Sequence, residues 1–309
     1  MTENKLPKFS YSKLSTYLSC PMKFKLKYVD GNYDSSEAIH LDLGNIAHKV
    51  LEIKHRNIID GLVNDYTYLK SVFNDGIAEE TEKDKGNFLI GFNSIKDKYG
   101  EDIISTENPK SKLSYYDKID IFNKYLVEDE LEDDWKPISI ELHFEFEYEG
   151  KIILHGFIDR VDQNSKGEIR VVDYKSSNMP FEHKDLTTPL QMFIYTLACE
   201  NIYGKTPVEH VYDMIFIGEK QYACTKGYYK RGKKKLDGLI DKIVESEKSG
   251  IYKPSPTPLC HWCEFSKTNP NAAFYLQDKC EYYSLWLPNK KSFNVNKKYE
   301  EVSVEDLEF

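Results

Sequence analysis

The chain has 309 residues, 40% apolar and 30% charged, with 42 aromatics (23 Tyr, 16 Phe, 3 Trp). That composition supports a sizeable core and excludes disordered, collagen-like and small disulfide-framed classes. The longest apolar runs are short, such as MIFI at 214–217, far from the ~18 residues that span a bilayer. MTENKLPKFSYSK has no apolar leader, so the expected setting is cytoplasmic, bacterial or that of a phage host, with no membrane partner. Net charge is 42 − 51 = −9, which opposes nucleic-acid binding through bulk electrostatics. The acids, however, concentrate in DELEDD (129–134) and in the last ten residues, while lysines gather at 23–27, 230–235 and 290–291. A basic surface beside acidic ones stays open, with solvated helix faces as the alternative.

In chain order, Ser12 can cap a short helix carrying Leu14, Tyr17 and Leu18, and Pro21 interrupts it and opens the next helix, through Tyr28, with Cys20 at the joint. A longer helix follows, with Leu43, Ile46, Ala47, Val50, Leu51 and Ile58 at helical spacing, and with His48, Glu52 and His55 on another face. Residues 62–135 read as a polar helical elaboration. From Ile138 to Tyr148 apolar and polar residues alternate, which is a half-buried strand. A Glu149-Gly150 turn leads to a second strand at 152–161, and NSKGE turns the chain into a third at 169–175. Thr188 and Pro189 start a helix with Leu190, Ile194, Leu197 and Ala198 on its buried face. Strands near 208–217 and Gln221 and a Lys-rich amphipathic helix through Val244 complete the core, before the Pro-rich KPSPTPLCHWC.

If the NSKGE turn is centred on Lys166, residues whose numbers sum to 332 face each other. Asp159 then lies opposite Asp173, about 5 Å away at Cβ, and Lys175 projects from the same face as Asp173. Opposed carboxylates repel unless a proton or cation compensates. Few, hard oxygen ligands with room for water suit Mg²⁺ or Mn²⁺, and a nearby ammonium can orient water and offset charge on a phosphorane. Taken alone, D…DxK is also met when Asp159 merely pairs with Arg160 or Arg170.

Six cysteines in a cytoplasmic setting point to thiols or metal ligands. Cys199 and Cys224 read as small core residues. Cys260 and Cys263 form a CxxC, Cys280 follows after sixteen intervening residues and Cys20 lies far upstream; four thiolates fit one Fe–S cluster or one zinc, and a non-ligating reduced pair is the bland alternative.

The strings FSYSKLSTYLSCPMKFKLKY, LGNIAHKVLE, GFIDRVD, VVDYKSS, QMFIY and CHWC, in this order, resemble the RecB-like nucleases of the PD-(D/E)XK superfamily. The match is closest to the iron-sulfur branch, with its CRISPR-associated exonucleases and helicase-nuclease domains. The resemblance implies metal ligation by His48, Asp159, Asp173 and the Tyr174 carbonyl, with Lys175 as catalytic lysine. It implies that Gln191 and Tyr195, a QxxxY pair on one helix face, border the active site and position the DNA strand. It also implies a [4Fe–4S] cluster on Cys20, Cys260, Cys263 and Cys280, zinc being the alternative. Here the sequence departs from the family, which places its last cysteine where this chain has Asn269.

The expectation is therefore an α/β fold with a restriction-endonuclease-like core, a mixed sheet flanked by helices, forming one nuclease domain over 1–309. Its parts are N-terminal helices (1–60), a helical insertion (62–135), a catalytic core (136–248), a Cys-rich cluster segment (249–288) and a flexible acidic tail (289–309). The expected activity is a Mg²⁺- or Mn²⁺-dependent deoxyribonuclease, an exonuclease on single strands or DNA ends in recombination, repair or replication. A non-catalytic subunit that binds DNA ends or docks a partner is the alternative. Expected partners are DNA and a helicase, recombinase or single-strand-binding protein. The tail EEVSVEDLEF, ending in Phe309, resembles the acidic tips with which single-strand-binding proteins recruit partners, a solvated tail being the simpler reading.

Overall fold

The computed structural model describes residues 6–33, 39–83, 115–132, 134–177, 180–181, 190–267, 269, 273–277 and 279–282. The expected helix start at Thr188 and Pro189 and the acidic tail lie outside them. The chain divides into two compact units, Met1–Tyr11 with Glu37–Gly238, and Ser12–Ser36 with Leu239–Phe309.

The first unit is built on a six-stranded mixed sheet: β1 (Lys8–Phe9), β2 (Lys136–Tyr148), β3 (Ile152–Gln163), β4 (Ile169–Tyr174), β5 (Glu209–Met214) and β6 (Glu219–Cys224). The alternation expected for β2 is observed, with Ile140, Phe144 and Tyr148 buried. Glu149 and Gly150 both take positive φ (51° and 65°) in the turn to β3, which is the backbone a tight, right-twisted hairpin needs. β2 occupies one edge of β3 along its length. The opposite edge is divided: β1 runs parallel against Ile153 and Leu154, and β4 runs antiparallel against Arg160 to Gln163. β4, every residue of it buried, pairs in parallel with β5, as expected of a strand covered on both faces. β5 ends at Met214, three residues before the expected end, because Ile217 and Gly218 both bond back to the Met214 carbonyl.

Helices α3 (Ile39–Ile59), α4 (Tyr66–Lys83) and α5 (Tyr115–Glu128) cover one face. Leu43, Ala47, Val50 and Leu51 of α3 pack with Leu69, Phe73, Phe122 and Leu126 onto Val172, Tyr174 and Val211. Residues within 62–135 thus supply core side chains. Helix α6 (Leu190–Tyr203) has eight buried residues, among them Phe193 and Cys199. Helix α7 (Tyr229–Ser249) belongs to the first unit up to Gly238.

In the second unit, α1 (Tyr11–Ser19) starts one residue before Ser12, so Ser12 is inside the helix and not its cap. Pro21 opens α2 (Pro21–Phe24), which widens into a π turn over Lys25–Val29. Tyr17 donates to the Lys242 carbonyl at 2.9 Å and meets Ser246 Oγ at 2.7 Å. Lys23 and Lys27 both pair with Glu264 (3.4 and 3.2 Å), which offsets the charge of that basic stretch. Leu26, Phe265 and Leu276 form a small core.

Candidate active site

The position of the candidate carboxylates follows from the β3–β4 turn. Asn164 Oδ1 accepts from the N–H groups of Lys166 (3.1 Å) and Glu168 (2.9 Å), and Gly167 takes φ 76°. Gln163 therefore pairs with Ile169 and Arg160 with Val172, the register whose numbers sum to 332. Pairing stops one step before Asp159 and Asp173 would meet. Oδ2 of Asp159 accepts the Tyr174 N–H at 2.7 Å, so a carboxylate replaces the missing carbonyl partner of the ladder. Asp159 also escapes the surface pairing that a chance motif would show. Arg160 and Arg170 both engage Asp162 instead, at 2.8 and 3.0 Å.

On one side of this fork Lys175 Nζ pairs with Asp173 and donates to Gln191 Oε1 at 2.9 Å. Gln191 Nε2 donates to Asp173 Oδ1 (3.0 Å) and to the Tyr195 hydroxyl (2.9 Å). The first turns of α6 therefore present Gln191 and Tyr195 to the Asp173–Lys175 pair. On the other side His48 Nδ1 lies 3.7 Å from Asp159 Oδ1, and ligand atoms of His48, Glu141 and Asp159 all fall within 4.8 Å of one another. Gly44, one helical turn before His48, permits this approach of α3: a Cβ there would stand 3.1 Å from Ser176 Oγ.

The electrostatics describe a site short of positive charge. Burial, then the charge of Asp173, pushes the Asp159 carboxyl up to about 8. Glu141 is raised by burial and by Asp159, while burial lowers the His48 imidazole. Lys175 is held above its usual value: burial opposes its charge, but Asp173 and Asp159 outweigh burial. Lys175 is thus a fixed cation that donates hydrogen bonds. Asp173 is buried, with Oδ2 paired to the Lys175 ammonium and Oδ1 accepting from Gln191. Oxygen donors with one imidazole, among them the Glu141 and Asp159 carboxylates within 4.8 Å of each other, fit a hard divalent ion.

A buried network lies behind the site. Arg160 Nη1 donates to the Tyr174 hydroxyl (2.9 Å) and contacts His55 Nε2 at 2.7 Å. His55 Nδ1 faces the Leu51 carbonyl at 2.9 Å. A carbonyl needs a donor and a guanidinium needs an acceptor, so His55 is neutral with its proton on Nδ1; burial and then Arg160 depress it well below the ordinary imidazole range. His48, Glu52 and His55 do not act as one face. His48 reaches the carboxylates, His55 is buried, and Glu52 pairs with Lys49 (2.8 Å) and Arg56 (3.1 Å).

Glu141, His55 and Arg160 are absent from the site residues expected from sequence. Glu141 had a signal in the β2–β3 register: Ile140 pairs with Arg160 and Leu142 with Ile158, which sets Glu141 opposite Asp159.

In the second unit Cys20, Cys260, Cys263 and Cys280 line one cavity of about 230 Å³. Asn269 donates to the carbonyls of Trp262 (3.1 Å) and Cys263 (3.3 Å), clamping the CxxC turn. The Cys280 N–H donates to the Phe265 carbonyl at 3.1 Å, which brings that thiol to the cavity. Burial raises the thiols of Cys263 and Cys280, the latter to about 11. Cys199 is buried as expected, but Cys224 is exposed, because it ends β6, where the sheet no longer covers it.

The chain is 28% identical over 282 residues to the gene 69 protein of Mycobacterium phage D29, covering 87% of this chain and 99% of that protein. It is 29% identical over 178 residues to an ATP-dependent helicase/deoxyribonuclease subunit of Streptococcus agalactiae serotype Ia, covering 57% of this chain and 14% of that protein's length. The Streptococcus pyogenes serotype M6 protein of the same name is 26% identical over 178 residues, 57% of this chain and 15% of its own. A profile of the PD-(D/E)XK nuclease superfamily matches residues 8–268. With the mixed sheet, its flanking helices and the forked Asp159/Asp173 hairpin in place, this match settles kinship: the chain belongs to the PD-(D/E)XK nuclease superfamily.

Proposed function

We propose that the chain is a Mg²⁺- or Mn²⁺-dependent deoxyribonuclease, an exonuclease acting on single strands or DNA ends. The observation that carries this reading is the convergence of His48 and Asp159 on one side of the hairpin fork with the Asp173–Lys175–Gln191 group on the other. His48, Asp159, Asp173 and the Tyr174 carbonyl would hold the metal. When bound, it would supply Lewis-acid activation of water and charge stabilisation at the scissile phosphate. Lys175 orients water and offsets charge developing on phosphate oxygens. Gln191 holds both Lys175 and Asp173, so it keeps the lysine aimed while the carboxylate remains an acceptor. Tyr195 supports Gln191 from the next turn of α6 and borders the strand path.

The cavity lined by Cys20, Cys260, Cys263 and Cys280 supports a [4Fe–4S] cluster on these four thiolates, zinc being the other occupant that four sulfurs suit. Its role is structural, because it would tie residues near 20 to those near 260–280. The similarity to helicase/deoxyribonuclease proteins favours a helicase as partner, acting in recombination, repair or replication.

The test is degradation of end-labelled linear and of closed circular DNA, single- and double-stranded, with Mg²⁺ or Mn²⁺. Metal-dependent loss of linear but not circular DNA is expected. Equal cutting of circles would make the enzyme an endonuclease, and binding without cleavage would reduce it to a docking protein.

A further inference from the structure

The metal set named above takes one carboxylate from β3, one from β4 and a helical imidazole, and leaves Glu141 of β2 without a role. Its position is unlike that of an ordinary surface glutamate. It stands opposite Asp159 in the β2–β3 register, half-buried, with its carboxylate, the Asp159 carboxylate and the His48 ring mutually within 4.8 Å. Among the described residues it forms no ion pair or hydrogen bond. Two carboxylates face each other across a ladder there, an arrangement that is unfavourable without a cation. In addition, Glu141 holds φ at 47° inside a thirteen-residue strand, where the left-handed region is costly for a residue with a Cβ. On the other side Asp173 is shared with Lys175 and Gln191, whereas the Glu141 carboxylate is committed to no such partner among the described residues and would complete the set from the side of His48 and Asp159.

On the reading given under Proposed function, we infer that Glu141 is a further side-chain ligand of the divalent cation, and that His48, Glu141 and Asp159 form a three-sided cradle in which Asp159 is the shared member. Two carboxylates with one imidazole suit Mn²⁺ and Mg²⁺, the imidazole favouring Mn²⁺. A cation there removes the Glu141–Asp159 repulsion and gives the strained strand position its compensation.

The experiment is Mn²⁺ binding to the full chain, followed by loss of the free-ion electron-spin-resonance signal, for the wild type, Glu141→Gln and Asp159→Asn. A hard ion such as Mn²⁺ does not compete for the cysteine thiolates. Glu141→Gln is expected to weaken Mn²⁺ binding by tenfold or more, and Asp159→Asn at least as much. Wild-type affinity in Glu141→Gln with loss in Asp159→Asn overturns the Glu141 assignment and leaves the nuclease reading intact; wild-type affinity in both overturns the metal site itself. Glu141→Gly supplies a readout independent of affinity. In the absence of metal it should melt above the wild type, since glycine accepts the left-handed backbone, and the rise in Tm on adding Mn²⁺ should shrink. A lower metal-free Tm, or an undiminished Mn²⁺ shift, contradicts the inference.

Discussion

Gln191 is the residue on which the geometry of the lysine depends, since its amide oxygen accepts from Lys175 while its nitrogen donates to Asp173 and Tyr195. Gln191→Ala should leave both charges present but free to move. Misplacement of a catalytic group by about an ångström costs on the order of a hundredfold. A fall in kcat between tenfold and a hundredfold with KM for DNA little changed is therefore expected in steady-state cleavage, and an unchanged kcat would deny Gln191 its positioning role. A second residue-scale prediction concerns His210, which is fully buried, with Nε2 2.9 Å from Thr196 Oγ1 and Nδ1 without a partner among the described residues. Burial pushes its pKa down to about 3. The unfolded state takes the proton first as pH drops below about 6.5, so stability is present above that pH and is lost toward pH 3. Between pH 7 and pH 5 the loss from this group should be about 2 kcal/mol. Urea unfolding should show a smaller difference between those pH values in His210→Gln than in the wild type; identical slopes would remove His210 from the pH dependence.

At the scale of elements, the β3–β4 hairpin was legible because Asn164 and Gly167 announce the turn and the turn fixes the register. The opposition of Asp159 and Asp173 followed by counting. The ladder's early end did not follow, since it depends on the Asp159 side chain capturing the Tyr174 N–H. Glu141 was only half legible: the β2–β3 register sets it opposite Asp159, but its polar place in an alternating strand looks ordinary until the left-handed φ and the approach of His48 from α3 are seen. Cys224 departs from its expected burial because strand character alone does not say whether a strand's last residue is covered. The network behind β4 was also hidden from the sequence, being formed by residues from α3, β3 and β4. Tyr174→Phe removes the hydroxyl that accepts from Arg160 and should cost about 1–3 kcal/mol, because a buried donor is left unsatisfied. A denaturant midpoint equal to that of the wild type would show that His55 alone satisfies the guanidinium.

At the scale of the whole molecule, the order helix, three strands, helix, strand and the mixed sheet were readable from periodicity and turns. The pocket joining Cys20 to a thiol beyond residue 275 was not readable from the residues themselves; the resemblance suggested it. On the proposed cluster reading, anaerobically purified protein should be brown, and Cys263→Ser should lose that colour and melt at a sharply lower temperature, since a bound group that favours the folded state contributes its binding free energy to folding. A colourless wild type containing zinc would replace the cluster with a single ion. The most direct test of the central claim is cleavage of end-labelled DNA with Mg²⁺ or Mn²⁺ by the wild type beside Asp173→Ala and Lys175→Ala, with folding checked by circular dichroism. Metal-dependent cleavage by the wild type, reduced at least a thousandfold in both folded variants, is the predicted result; cleavage retained by both would place the chemistry elsewhere in the chain.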